Sequence, residues 1–145
     1  MDLILPDLCD QFGEKVNVLS PILRNFGNVT AFGGCIRTVK CHEDNSFVAD
    51  IVKERGDGSV LVVDGGGSLR CALLGDNLAA IAASNSWEGI IVFGCVRDVV
   101  ALKGIKLGVN LINDVSNRTE TACSQELTYL SMELAIKAQE QAEKK

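Results

Sequence analysis

The sequence predicts an α/β fold organised around a central βαβ unit, and three segments carry this prediction. Residues 60–63 form a short β-branched apolar run that is typical of a buried strand, and residues 90–93 form a second run of the same kind. Between them, residues 76–84 have the character of a helix. Two buried strands joined through a helix are expected to pair in parallel with a right-handed crossover.

The segments before this unit predict short, alternating elements. Residues 6–12 indicate one or two turns of helix, because an acid stands near their start and Gly13 follows them. Residues 16–22 are apolar but interrupted by polar residues and a proline, which favours a loop or an edge segment. Residues 29–32 and 35–41 are predicted as two strands around a Gly-Gly bend.

A helix is also predicted from Asp44 or Asn45 to about Arg55. Its apolar residues recur on one stripe of a 3.6-residue period, and Gly56 is suited to end it. At the other end of the chain, residues 113–121 are polar and turn-forming, and an amphipathic helix is predicted from about residue 122.

Length and composition narrow the class of protein. The 145 residues suit one domain, and a hydrophobic content of 47 % with 23 % charged residues is that of a globular chain. The net charge of −5 argues against direct binding of nucleic acid, which needs clustered Lys and Arg. No apolar run reaches the about 18–20 residues that span a bilayer, and the first residues lack the basic region of a secretory signal. We therefore expect a cytoplasmic protein without a membrane partner.

Six cysteines and one histidine leave two interpretations of the thiols open. No C-x-x-C pair is present, and His42 alone is available to complete a zinc site. Reduced, mostly structural thiols are the first interpretation. Cys95 as a nucleophile is the second, although no base lies near it in the sequence. His42 itself is expected in a solvated loop.

The glycine run at residues 65–67 follows a predicted strand, as a dinucleotide fingerprint does. Arg70 stands where G-x-G-x-x-G requires its last glycine, and no P-loop is present. A tight turn and a close backbone approach to a ligand both remain open.

Two further segments flank the second half of the βαβ unit. Gly75, Asp76, Asn77 and Leu78 begin the predicted helix, where Asp76 acts as an N-cap or the free N–H groups bind an anion. Arg97 and Asp98 follow the second buried strand, at the end of the sheet where ligands collect, yet such a pair is also common as a solvated ion pair. Both segments are in plausible reach of each other.

At this point a resemblance is visible. The segments Phe32-Gly33-Gly34, Glu43-Asp44-Asn45 and Gly94-Cys95-Val96-Arg97-Asp98, with the glycine run, resemble the RraA-like family across residues 5–109. That family contains regulators of ribonuclease E and class II 4-hydroxy-4-methyl-2-oxoglutarate aldolases, which also decarboxylate oxaloacetate. Its aldolase motif is Asp, twenty intervening residues, then Arg-Asp, and it is intact here from Asp76 to Arg97 and Asp98.

The resemblance implies roles for these residues. Asp98 would ligate a divalent metal, Mg²⁺ or Mn²⁺, and Arg97 would hold the oxygen and carboxylate of a pyruvyl group. The backbone amides of Gly75, Asp76, Asn77 and Leu78 would bind the same substrate. The family's homotrimer would place sites at subunit interfaces, and the general base would be a metal-bound water or a residue of a neighbouring subunit.

The chain departs from the family after Val109. The expected fold is the family's swivelling β/β/α domain over residues 1–109, with the C-terminal strands replaced by a helix in a divergent segment, residues 110–145. The leading functional hypothesis is a metal-dependent lyase that forms pyruvate. The alternatives are a non-catalytic protein that binds and inhibits ribonuclease E, and a paralogue that has lost both roles.

Overall fold

In a computed structural model, which describes residues 5–112, a five-stranded sheet carries the fold. The strands are β1 (Leu23–Asn25), β2 (Ile36–Lys40), β3 (Val60–Asp64), β5 (Gly89–Phe93) and β7 (Gly108–Ile112), and their order across the sheet is β1-β7-β5-β3-β2. A separate two-stranded sheet pairs β4 (Ala72–Leu74) with β6 (Cys95–Val96). The helices are α1 (Leu5–Phe12), α2 (Ser46–Ile51), α3 (Asp76–Ser84) and α4 (Val99–Leu102), and Gly13–Lys15 form a 3₁₀ turn.

The predicted central βαβ unit is present. Strand β3 pairs in parallel with β5, and α3 lies between them in the chain. Strands β2 and β7 extend the same parallel array on either side, and only β1 runs antiparallel. The β-branched and aliphatic residues of β3 and β5 are buried almost throughout, as parallel strands covered on both faces require.

The main core lies between the helices and one face of the sheet. Val48 of α2, Ala79 and Ala82 of α3 and Leu102 of α4 all belong to one buried cluster with the strand residues that point the same way. Small alanines allow α3 to approach the sheet closely. A second, smaller cluster on the opposite face contains Leu23, Phe32, Val60 and Ile91.

Two sequence predictions are corrected here. Residues 29–32 do not form a strand, because the ring of Phe32 packs over Gly89 and Gly108, which offer no side chain on this face. The helix expected to reach Arg55 ends at Ile51, and turns lead from there to β3.

The predicted division of the chain after Val109 falls inside β7. The sheet continues to Ile112, since β7 pairs with β5 on one side and β1 on the other. The helix predicted from about residue 122 lies outside the described residues. Among residues 5–112, no helix is both long and apolar enough to pass through a membrane.

Candidate active site

The two-stranded sheet brings together the two segments that the sequence singled out. Strands β4 and β6 are parallel, so their carboxyl ends lie at the same edge. Gly75 directly follows β4, and Arg97 directly follows β6. The backbone N–H of Arg97 donates to the carbonyl of Leu74 at 3.0 Å, which fixes the two chain ends side by side.

Gly75 lies against both side chains of the Arg-Asp pair. A Cβ atom at this position would stand 2.8 Å from Oδ2 of Asp98 and 3.2 Å from Nε of Arg97. The backbone of Gly75 is extended, so space rather than dihedral freedom requires glycine here. The prediction that the Gly75 turn and Arg97-Asp98 come within reach of each other is therefore confirmed.

Asp98 is held in the left-handed region, with φ 56° and ψ 37°. This conformation costs a residue with a Cβ roughly 1–2 kcal/mol. Its Oδ2 lies 3.2 Å from Nε of Arg97, and the two side chains are 41 % and 72 % exposed. So exposed an ion pair contributes little to stability, whereas the backbone carbonyl of Asp98 accepts the Leu102 N–H at 3.0 Å and begins α4.

The start of α3 is the third part of the site. Gly75 is the N-cap and supplies no side-chain cap, and its carbonyl accepts the Ala79 N–H at 3.1 Å. Asp76 is therefore the first helical residue and not the N-cap, and its Oδ1 accepts the N–H of Asn77 at 2.7 Å. The remaining amides of this first turn have no acceptor within the helix, and the N-terminus of a helix favours an anion there.

These residues fit a divalent cation that prefers oxygen ligands. In the part of the chain that is described, no three His, Cys, Asp or Glu side chains form a group that would hold a metal alone. Asp98 would be a single carboxylate ligand, partly exposed and unobstructed by a Cβ on Gly75. One carboxylate with water in the other positions is a common arrangement for Mg²⁺.

The residues that follow the glycine run, Ser68 and Arg70, have a partner that the sequence did not reveal. Glu43 accepts hydrogen bonds from Arg70 at both carboxylate oxygens, at 2.7 Å from Nε and 2.6 Å from Nη2, and from the Ser68 hydroxyl at 2.7 Å. These bonds, above all those from Arg70, lower the pKa of Glu43 to about 2. We call Glu43, Ser68 and Arg70 the Glu43 clamp. Glu43 and Arg70 are 27 residues apart, so no local signal links them.

The histidine and cysteines do not join the site in any contact among residues 5–112. His42 is exposed, with Nε2 3.4 Å from Oε1 of Glu43, as expected of a loop residue. The five cysteines in the described range are free thiols, and Cys123 lies outside it. Burial, with the nearby carboxylates of Asp44 and Asp64, raises the pKa of the Cys41 thiol, which keeps it protonated and unreactive.

Comparison with known proteins agrees with this architecture. The family model described as "RraA-like: Aldolase/RraA" matches residues 5–140, which is further than the predicted limit at residue 109. A protein of Pseudomonas syringae pv. tomato, named "Putative 4-hydroxy-4-methyl-2-oxoglutarate aldolase", is 55 % identical over 120 residues, covering 83 % of this chain and 74 % of its own length.

Two solved structures share the fold closely. The RNA-processing inhibitor RraA of Thermus thermophilis superposes with a TM-score of 0.71 at 37 % identity, over 87 % of this chain and 76 % of that one. A Geobacillus kaustophilus structure described as an S-adenosylmethionine:2-dimethylmenaquinone methyltransferase gives a TM-score of 0.71 at 38 % identity, over 84 % and 77 %.

Proposed function

The chain belongs to the RraA-like family, and from this we propose that it is a metal-dependent lyase that cleaves 4-hydroxy-4-methyl-2-oxoglutarate to pyruvate, decarboxylates oxaloacetate, or does both. The observation that carries the proposal is the close approach of Gly75 at the start of α3 to Arg97 and Asp98. The guanidinium of Arg97, the carboxylate of Asp98 and the backbone at the start of α3 thus lie close together.

Both reactions break a carbon–carbon bond next to a ketone and leave the enolate of pyruvate. In the aldol cleavage, loss of the C4 hydroxyl proton breaks the C3–C4 bond, and the electron pair moves onto the 2-oxo group. In the decarboxylation, the departing group is CO₂. The residues of the site must therefore bind a 2-oxo acid and stabilise negative charge on its ketone oxygen.

Arg97 supplies a planar, permanently charged fork that suits a carboxylate and the adjacent ketone oxygen. Its side chain is 72 % exposed and borders the start of α3. The amides of Gly75, Asp76 and Leu78 add fixed donors, whereas the Asn77 N–H is already held by the Asp76 carboxylate. Substrate binding at all four amides would therefore require Asp76 to release Asn77.

Asp98 would hold the divalent metal, Mg²⁺ or Mn²⁺, because one hard oxygen ligand, with no His or Cys cluster among residues 5–112, does not suit zinc. When bound, such a cation supplies Lewis-acid polarisation of the ketone. The role of Asp98 would then be to fix the cation beside Arg97, since Oδ2 of Asp98 lies 3.2 Å from Nε of Arg97.

A general base is not evident among the residues that surround Gly75. The resemblance to the RraA-like family implies a homotrimer with sites at subunit interfaces, so we propose that the chain assembles in this way and that a residue of a neighbouring subunit, or a water molecule held at the metal site, would receive the proton. The exposed Val99 and Val100 on α4, next to Asp98, are consistent with a subunit contact at this edge. The free thiols fit the cytoplasm as the proposed location.

The test is pyruvate release from each substrate, followed with and without a chelator. We expect activity that needs Mg²⁺ or Mn²⁺ and that Asp98→Ala and Arg97→Ala abolish. Asp57→Asn removes an exposed acid that is equally left-handed but pairs with Arg55, and it is the matched control. Undiminished pyruvate release by Asp98→Ala and Arg97→Ala would refute the proposal.

A second candidate function is inhibition of ribonuclease E by direct binding. The likeness to the RNA-processing inhibitor RraA favours it, and the net charge of −5 suits basic segments of a protein partner better than nucleic acid. This function predicts a complex with the nuclease that survives both chelation and Asp98→Ala. Absence of a complex at micromolar concentrations would exclude it.

A further inference from the structure

The Glu43 clamp joins two loops that belong to neighbouring strands. Glu43 lies in the loop after β2, and Ser68 and Arg70 lie in the segment between β3 and β4, residues 65–71, which we call the strap. Both loops leave the carboxyl edge of the parallel sheet, since β2 and β3 pair in register. The Glu43 clamp thus links the loops that follow two adjacent strands, β2 and β3.

The strap is also seated on the end of β5. The N–H groups of Gly65 and Gly67 both donate to the carbonyl of Phe93, at 2.8 and 3.3 Å. A Cβ on Gly67 would stand 2.9 Å from the Phe93 ring, so this glycine allows the backbone to lie directly on that ring. At the far end of the strap, the side chains of Ser68 and Arg70 both donate to Glu43, and the Arg70 N–H donates to the Ser68 hydroxyl at 3.3 Å.

That far end leads directly into the site. Arg70 is two residues before β4, β4 pairs with β6, and the carbonyl of Leu74 accepts the Arg97 N–H. The two-stranded sheet is only three residues long on one side and two on the other, and its register is irregular. The side chains of Leu73 and Leu74 anchor β4 in the main core, but so short a sheet adds little to the fixing of its own ends, because short strand pairs are marginal by themselves.

We propose that Glu43 is a positioning residue for the active site: through Arg70 it sets the placement of β4, and thereby the distance between Gly75 and Arg97. Both carboxylate oxygens of Glu43 accept hydrogen bonds from the strap, and the Glu43 backbone is left-handed, with φ 57°. The bidentate geometry fixes direction as well as distance, which a single hydrogen bond to Ser68 would not. The kinetic part of this inference rests on the proposed function, and its structural part does not.

The experiment compares Glu43→Gln, Arg70→Gln and the double variant with the wild-type chain. Amide hydrogen exchange, read by mass spectrometry, reports on peptides that cover residues 72–78 and 95–98. Initial rates of pyruvate release give kcat and KM separately. Thermal unfolding, followed by the fluorescence of Trp87, the single tryptophan and a buried one, reports on the fold as a whole.

We expect each single variant to exchange residues 72–78 at least tenfold faster than wild type and to lose at least tenfold in kcat, with the rest of the sheet unchanged. The double variant is expected to be no worse than either single, since the two residues act as one unit. Arg70→Lys keeps the charge without the fork and should fall between wild type and Arg70→Gln. Asp57→Asn should leave exchange and kcat unchanged.

Wild-type exchange rates at residues 72–78 in Glu43→Gln would overturn the inference, as would equally faster exchange over the whole sheet. If the wild-type chain itself releases no pyruvate, the proposed function fails while the exchange experiment still decides the role of Glu43. If exchange rises locally and kcat stays unchanged, the positioning role in catalysis is refuted.

Discussion

Replacing Gly75 by alanine tests the geometry of the site with a single methyl group. The added Cβ would stand 2.8 Å from Oδ2 of Asp98 and 3.2 Å from Nε of Arg97. Non-bonded atoms pack at about 3.5–4.0 Å from a carbon atom, so the Asp98 carboxylate must move away by about 0.7 Å or more. A displacement approaching 1 Å at a reacting centre costs up to about 100-fold in rate. We therefore expect a loss of about 10–100-fold in kcat/KM for pyruvate release.

The same change should affect folding much less. Both side chains that must move are exposed, at 41 % and 72 %, and can shift into solvent. Alanine is a poorer N-cap than glycine, and the cost is of the order of 1 kcal/mol in the free energy of unfolding. Gly104→Ala is the control, because its added Cβ would lie an ordinary 3.4 Å from the carbonyl oxygen of Ala101. Urea unfolding of both variants separates a loss of stability from a loss of activity. Full activity in Gly75→Ala would refute the reasoning, and so would an activity loss matched by Gly104→Ala.

Three further changes have defined outcomes. Arg97→Lys keeps the positive charge but loses the planar pair of N–H donors, so steady-state kinetics should show a loss of about 10–100-fold in kcat/KM. A value within twofold of wild type would contradict a bidentate role for Arg97. The pKa of Glu43 is lowered to about 2, below its unfolded value near 4.5, so its contribution to stability is complete above pH 4.5 and is lost as the pH falls toward 2. Urea unfolding across this pH range should therefore show a smaller loss of unfolding free energy for Glu43→Gln than for the wild type. The same dependence on pH in both proteins would contradict the prediction. Asn110 is 1 % exposed, and its Nδ2 has no hydrogen-bond partner among the described residues. Asn110→Leu should therefore raise the free energy of unfolding, measured in urea, by about 1–3 kcal/mol, and a decrease would contradict this prediction.

The sequence contained enough to predict the central βαβ unit. Strands β3 and β5 are covered on both faces, so residues 60–63 and 90–93 form uninterrupted apolar runs. Helix α3 begins and ends at the predicted residues 76 and 84. Such elements are encoded locally, because a buried strand needs no partner to be recognised. The prediction for residues 29–32 was wrong since their apolar side chains serve packing, and Phe32 fills the space over two glycines of other strands.

The motif from Asp76 to Asp98 was also visible in the sequence, but its assembly was not. Strands β4 and β6 are too short to have a periodic signal, and Ala72 pairs with Cys95 only once the chain has folded. That pairing alone decides that Gly75 faces Arg97 and Asp98.

Local sequence thus determined which segments are buried strands, where α3 begins, and which residue types are available for chemistry on a 2-oxo acid. Tertiary structure alone decided how these segments meet, as the pairing of Glu43 with Arg70 illustrates. The physical reason is that hydrophobic burial and helix capping act over a few residues and leave a periodic pattern. An ion pair between distant loops, or a two-residue strand, depends on contacts that exist only after the chain has folded.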